Sequence, residues 1–236
     1  MFRTIFAATR IVIGVIEAKL KLSSVKKLPK ELPVHERDRK MHVFPDYFGK
    51  MMIGCTGSKV KVEGIENIPR DQGVLIVSNH QSNFDIPLLL GYLNKPIGFI
   101  AKVELKKLPI VPDWMEQMNS VFMDRSDRRQ SLKAIKEGVD KLKNGHSLVI
   151  FPEGTRSKSS KIGEFKSGSL HLATKSGVPV IPVKIEGTYN ILEANGNRIK
   201  PANVTLKVFP PVYPEQIGIT DAKELTKYIK EIIEEK

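Results

Sequence analysis

Apolar and polar positions follow two different rhythms along this chain of 236 residues. Up to residue 56 the repeat is helical. In residues 1–22, Arg3, Arg10 and Glu17 recur every seventh position and Lys21 follows four later. At about 100° per residue all four share one narrow stripe, and most of the remaining surface is Phe, Ile, Val and Ala. A helix that is apolar nearly all round is either buried in protein or sunk in lipid. Residues 23–40, rich in Lys, Pro, Glu and Arg, read as a solvated connection. A second helical face follows, with Met41, Phe44, Phe48, Met51 and Met52 on one side and Arg39, Asp46 and Lys50 opposite. Pro45 predicts a kink there or a first turn. Two such segments with basic flanks predict an interfacial, amphipathic membrane anchor over 1–56. The plainer alternative is that both pack on a core.

From residue 57 to 236 the rhythm changes to short apolar runs separated by helical stretches. Strands are predicted at 59–65, 74–78, 97–101, 120–123, 147–151, 178–185 and 204–209. Helices are predicted at 86–93, 105–118, 128–144, 168–176 and 222–235. Mostly continuous apolar strands alternating with helices predict one α/β domain, its sheet mixed or mostly parallel and covered by helices on both faces. Pro179 and Pro182 mark the sixth strand as an edge or a bulge.

Composition narrows the partners. Lys and Arg number 38 against 26 Asp and Glu, a net charge of +12. Such a balance favours an anionic partner: nucleic acid, anionic lipid or a phosphorylated substrate. Nucleic-acid binding wants aromatic side chains interleaved with basic ones. Here ten Phe, five Tyr and one Trp lie mostly inside apolar runs, so no nucleic-acid surface is expected. Cys55 is the single cysteine, which excludes an intramolecular disulfide and a Cys-rich metal site and fits a reducing compartment. No uninterrupted apolar run reaches the roughly 18 residues of a spanning helix. Arg10 interrupts what would be the centre of a secretory signal, and no small-x-small cleavage site follows.

Chemistry-bearing residues sit where predicted strands end. Asn79-His80-Gln81-Ser82-Asn83-Phe84-Asp85 follows the run VLIVS. A histidine is suited to take a proton near neutral pH, and works better with a carboxylate fixing its tautomer. His80 and Asp85 are five apart, which shares no face of a regular helix but brings them together if His80 lies in a turn and Asp85 in the first helical turn. The bland alternative is a helix cap beside an incidental histidine. Phe151-Pro152-Glu153-Gly154-Thr155-Arg156 follows SLVIF; Gly154 permits close backbone approach, and Arg156 offers a planar fork for phosphate. Phe122-Met123-Asp124-Arg125 supplies a second arginine at a strand end.

Together and in this order, these segments resemble the glycerolipid acyltransferase family, and within it the bacterial-type 1-acylglycerol-3-phosphate acyltransferases. Asn79–Asp85 matches its NHxSxxD block, Asn119–Arg125 loosely its G-x-I-F-I-D-R block, Phe151–Ser157 its F-P-E-G-T-R-S block and Val178–Val183 its V-P-I-x-P-V block. Ala101-Lys102-Val103-Glu104-Leu105 with Pro109, and Phe165-Lys166-Ser167-Gly168, resemble two intervening segments. The likeness covers roughly 58–209. Asn119 and Met123 depart from the second block, and Ile110-Val111-Pro112-Asp113 stands where the family often has a glycine. Both departures fall on a wall expected to shape the acceptor site or acyl groove.

The resemblance implies transfer of a fatty acyl group from acyl-CoA or acyl carrier protein to the free hydroxyl of a lysophospholipid, lysophosphatidic acid, giving phosphatidic acid. It implies His80 as general base and Asp85 as the group that orients it. Arg125 and Arg156 would bind the acceptor phosphate with Lys102 assisting, and Glu153, Gly154 and Thr155 would line the substrate site. Backbone N–H groups near Gly154 or the His80 turn would serve the oxyanion. No metal and no tightly bound cofactor is required. The expected location is interfacial, on anionic lipid at the cytoplasmic face of the cell membrane. Other acceptors, such as glycerol 3-phosphate, and a non-catalytic lipid-binding role on the same scaffold are the competing readings.

Overall fold

The computed structural model describes residues 2–29 and 31–235; Met1, Lys30 and Lys236 lie outside them. Two helices, α1 (Phe2–Lys26) and α2 (Val34–Gly54), precede a seven-stranded sheet. The strands are β1 (Lys59–Glu63), β2 (Leu75–Ser78), β3 (Gly98–Lys102), β4 (Val121–Met123), β5 (Leu148–Ile150), β6 (Val180–Glu186) and β7 (Asn203–Val208). Their spatial order is β1-β7-β6-β2-β5-β3-β4. Strands β6, β2, β5, β3 and β4 run parallel; β7 is antiparallel to β6 and parallel to β1. The sheet is mixed and mostly parallel, as the alternation of elements predicted. Every predicted strand is present, with ends shifted by up to a few residues.

Alternate residues of the central strands feed two separate cores. Ile76, Val149 and Ile181 face α1, α2, α3 (Asp85–Tyr92) and α4 (Val111–Gln117). Leu75, Val77, Leu148 and Ile150 face α5 (Arg128–Lys143), α6 (His171–Ser176) and α7 (Ala222–Glu234). The β1–β7 end departs from the expected double cover. There Val204, Leu206 and Val208 enter one core while Thr205 and Lys207 stay half exposed.

Three local expectations change. The stretch 105–118 is not one helix: a 3-10 turn over Val103–Lys107 and α4 are separated at Leu108-Pro109-Ile110. Pro109 cannot donate, and Ile110 adopts φ +70°, with Val111 N donating to Pro109 O at 2.7 Å in a tight γ-turn. Strand β6 is interior, which removes the edge reading and leaves the bulge: its pairing shifts by one residue between Val180–Val212 and Val183–Val208. Pro182 is accommodated because its missing N–H falls between the bridge of Val180 to Val212 and the β7 ladder that begins at Val183 and Val208. Its carbonyl still accepts from Phe209 N at 3.0 Å. The connection after α1 is short, and Asp38, read as solvated, is buried in α2.

Helix α2 turns its apolar face inward. Met41 and Ile53 are fully buried, Pro45 sits inside the helix, and Gly49 meets Gly91 of α3 backbone to backbone. A Cβ at Gly49 would lie 2.5 Å from Pro87 O, so only glycine allows this approach. Helix α1 buries a stripe of mostly small residues, Ala7, Gly14, Ala18, Leu22 and Val25. Its charged stripe lies beside that seam rather than opposite it, and Arg3 Nη1 donates to Thr56 O at 3.0 Å. The outward face is apolar: Phe2, Ile5, Val12, Ile16 and Leu20 are each 57–85% exposed. No helix among the described residues is long and apolar enough to cross a membrane.

His42 in α2 is buried with Nε2 unpartnered. Burial pushes its pKa down to about 4, against the opposing pull of Asp46 and Asp38. The folded ring is therefore neutral where the unfolded one, near 6.5, begins to charge. A depressed folded value means stability present above about pH 6.5 and lost as pH falls toward 4. At roughly 1.4 kcal/mol per unit the loss is on the order of 3 kcal/mol. Urea unfolding of wild type and His42→Leu between pH 8 and 4 is expected to show the two curves diverge by about that amount, with wild type the more acid-sensitive. Parallel curves would mean that His42 takes up its proton as readily in the fold as in the unfolded chain.

Candidate active site

The carboxyl ends of all five parallel strands meet at one edge of the sheet, the usual place for a site in an open α/β sheet. Strand β2 ends at Ser78 and leads into Asn79 and the turn that carries His80. Asn79 is buried and locks this turn to β6, donating to Ile185 O at 2.9 Å and accepting from Ile185 N at 2.7 Å. Helix α3 begins at Asp85, which is fully buried. Its Oδ2 accepts from His80 Nδ1 at 2.6 Å, Gln81 N at 2.6 Å and Ser82 N at 2.9 Å. Its Oδ1 accepts from Thr188 Oγ1. A carboxylate held by four donors at the start of a helix is fixed in place. Because it can only accept, His80 Nδ1 carries the hydrogen and the lone pair of the neutral ring lies on Nε2. The ring stacks on Phe151 at 4.0 Å between centroids and 15° between planes, leaving 16% of the side chain exposed.

Strand β5 contributes Phe151 and the loop after it. Glu153 does not line the open site; it is buried beneath it. Its two oxygens accept from His80 N at 2.6 Å and Gly163 N at 2.9 Å, pinning the His80 turn to the loop. Burial pushes its carboxyl pKa up, and these two N–H groups only partly offset that. Gly154 has φ +76°, and its carbonyl accepts from Arg125 Nη1 at the end of β4. Burial lowers the Arg125 pKa, while Glu104 opposes the shift. Ser157 N donates to His80 O at 2.8 Å, a second tie between the two loops.

His80, Lys102, Arg125, Gly154, Thr155 and Arg156 all open on one cavity of about 720 Å³. Its polar end is this cationic group. The rest is apolar and runs between layers: Val15 and Ala18 of α1, Phe44 and Phe48 of α2, Ile86 and Leu90 of α3, and Trp114 and Met115 of α4 all reach it. Phe44 stacks on Trp114 at 5.2 Å, and Trp114 Nε1 donates to Ala18 O at 3.0 Å, so three of these helices are tied together around the cavity. Ile110, strained at positive φ, lines it too.

Several residues escaped the sequence reading. Thr188 and Glu193 follow β6, and they join the site only because β6 lies beside β2. Glu193 accepts from Ser82 Oγ at 2.6 Å, Asn83 N at 3.0 Å and Arg156 Nη1 at 3.1 Å. The strand-end rule that singled out the other loops would have pointed to both, had strand order been known. Asn119 lies elsewhere than expected: its amide leaves the cavity wall and donates to Asp38 Oδ1 at 3.2 Å, beside His146. Asn119 has φ +57°, a conformation that Asn tolerates better than most side chains. The N–H groups considered for an oxyanion are engaged: His80 N by Glu153, Gln81 N and Ser82 N by Asp85, Gly154 N by Phe151 O. Among the described residues, no group of three His, Cys, Asp or Glu side chains is placed to hold a metal ion.

Comparison with known proteins gives this arrangement a context. The family model described as Acyltransferase matches residues 59–186. A chloroplastic 1-acyl-sn-glycerol-3-phosphate acyltransferase of Arabidopsis thaliana is 38% identical over 68% of this chain and 46% of its own length. The chain thus spans under half of that relative, and likewise of one from Brassica napus, at 45%. A probable 1-acyl-sn-glycerol-3-phosphate acyltransferase of Mycoplasma pneumoniae is 32% identical over 82% of this chain and 72% of its own. The crystal structure of the 1-acyl-sn-glycerophosphate (LPA) acyltransferase PlsC from Thermotoga maritima superposes with a TM-score of 0.84 at 35% identity, covering 98% of this chain and 92% of that one. The His80–Asp85 turn and the Phe151–Ser157 loop both fall inside the matched segment, which is more than half of the sequence: the chain belongs to the acyltransferase family.

Proposed function

We propose that this protein transfers a fatty acyl group from a thioester to the free hydroxyl of 1-acylglycerol 3-phosphate, giving phosphatidic acid and a free thiol. The observation that carries this reading is one cavity with a histidine–carboxylate pair and three cationic side chains at its polar end and apolar walls beyond. A phosphate ester with a long hydrocarbon tail matches both ends.

His80 Nε2 removes the hydroxyl proton as the oxygen attacks the thioester carbon. The carbonyl π electrons move to oxygen, giving a tetrahedral oxyanion. On its collapse the C–S bond breaks, the thiolate leaves, and His80 returns the proton to sulfur. Asp85 stabilises the imidazolium that forms between the two steps. Arg125 and Arg156 hold the phosphate with Lys102, fixing the hydroxyl against the base. The chemistry calls for no metal or resident cofactor, and either acyl-CoA or acyl carrier protein would serve as donor. The outward apolar face of α1 supports an interfacial placement, with the cationic surface toward anionic lipid at the cytoplasmic face of the membrane.

The test is transfer of a labelled acyl group from acyl-CoA, and then from acyl carrier protein, to 1-acylglycerol 3-phosphate in vesicles. Arg125→Ala is expected to raise KM for this acceptor about tenfold or more, the worth of one charge-assisted phosphate contact. Faster acylation of glycerol 3-phosphate would change the acceptor and keep the reaction class. No transfer from either donor to any of these acceptors would sink the reading.

A further inference from the structure

We propose that Glu193 is a positioning residue that fixes the Arg156 guanidinium relative to His80, and so makes a phosphate on the acceptor a condition of efficient transfer. This rests on the acyl-transfer reading above and assigns a role to a residue beyond the matched family segment, which ends at 186.

The geometry is specific. The Glu193 side chain is only 7% exposed, although it stands at the start of a short 3-10 turn, Glu193–Asn195. Its Oε1 takes two donors, Arg156 Nη1 and Asn83 N, while Oε2 takes Ser82 Oγ. Ser82 and Asn83 belong to the turn between His80 and Asp85, and Ser82 N itself donates to Asp85. One carboxylate therefore joins the turn that carries the base to the arginine at the cavity's polar end. Arg156 is 31% exposed on a flexible stem, so without this partner its head would sample many rotamers. With Nη1 engaged, the other N–H groups of the fork make no hydrogen bond among the described residues and can take a phosphate oxygen.

A loop staple alone would make different demands. It would lower stability and slow every acceptor equally. A positioning role predicts a loss confined to phosphate-bearing acceptors and exerted through Arg156. The experiment measures kcat and KM for 1-acylglycerol 3-phosphate and for monoacylglycerol, with wild type, Glu193→Ala, Glu193→Gln, Arg156→Ala and the Glu193→Ala/Arg156→Ala double variant. Glu193→Ala is expected to raise KM for the phosphate acceptor about tenfold and to change monoacylglycerol transfer less than about threefold. Glu193→Gln, whose carbonyl can still receive Arg156 and Asn83 while its amide faces the Ser82 hydroxyl, is expected to stay within about threefold of wild type. The double variant is expected to be no worse than Arg156→Ala, because Glu193 acts through that arginine.

Equal losses on both acceptors, or additive losses in the double variant, would overturn the positioning role while leaving the reaction intact. A wild type that acylates both acceptors equally well would remove the phosphate reading itself, and this proposal with it.

Discussion

Replacing His80 with alanine is expected to lower acyl transfer about 10³-fold or more, the loss of a general base from a positioned site. Stability should fall by only about 1 kcal/mol, since the ring's main packing partner is Phe151 and one stacked contact is worth roughly that. The turn itself is held by other groups: Glu153 grips the His80 N–H, and Asn79 grips β6. Folding should therefore survive, which urea unfolding alongside the transfer assay would verify. Transfer that persists within tenfold of wild type would mean that some other group takes the proton.

For Asp85→Asn the expected loss is about 10²- to 10⁴-fold, and the reason differs. The amide preserves size, and if its oxygen faces the three donors His80 Nδ1, Gln81 N and Ser82 N, its NH₂ meets the Thr188 hydroxyl, which can turn to accept. Shape is then kept and charge is lost. What disappears is the stabilisation of the imidazolium midway through transfer, so the effect should fall on kcat with KM little changed. Asp85→Ala would also leave two backbone N–H groups of the turn without an acceptor and should destabilise the fold by a further 1–3 kcal/mol. If Asn and Ala variants lost activity equally and only in proportion to lost fold, Asp85 would be a structural cap and nothing more.

The strands and the loops that carry chemistry were legible because each leaves a local signature. A continuous apolar run ended by Asn-His or Phe-Pro-Glu-Gly announces a buried strand and the reactive loop at its end. The five-residue spacing of His80 and Asp85 also translated directly into a turn and a helix start. The illegible part depends on strand order. Pro182 reads in sequence as either an edge or a bulge proline, and only the order of the strands decides: β6 lies between β2 and β7, and the lost donor falls at a gap in pairing. Thr188 and Glu193 look like loop residues until that same neighbour relation sets them against Asp85 and Arg156. Glu153 belongs to a recognisable block, but nothing local says that its carboxylate points down into the turn rather than out into the cavity. The helical face of Met41 and Phe44 was visible too, but not its partners: Gly49 meets Gly91 of α3, and Phe44 stacks on Trp114 of α4.

Strand β1, at the sheet edge, pairs with β7, and Ser58 and Ala202 across that junction are 144 residues apart. The first helix is held from a still greater distance along the chain: Ile199 N donates to Thr4 Oγ1 at 3.1 Å. At about 5–20 residues per second, a ribosome leaves both without these partners for on the order of ten seconds after they emerge. During that interval Lys59 and Lys61 keep the waiting strand an unattractive template for other chains. The first helix thus meets α2 and α4 before this last tie from Ile199, and a chain cut short before residue 199 would hold it by those earlier contacts alone while leaving β1 without its partner strand.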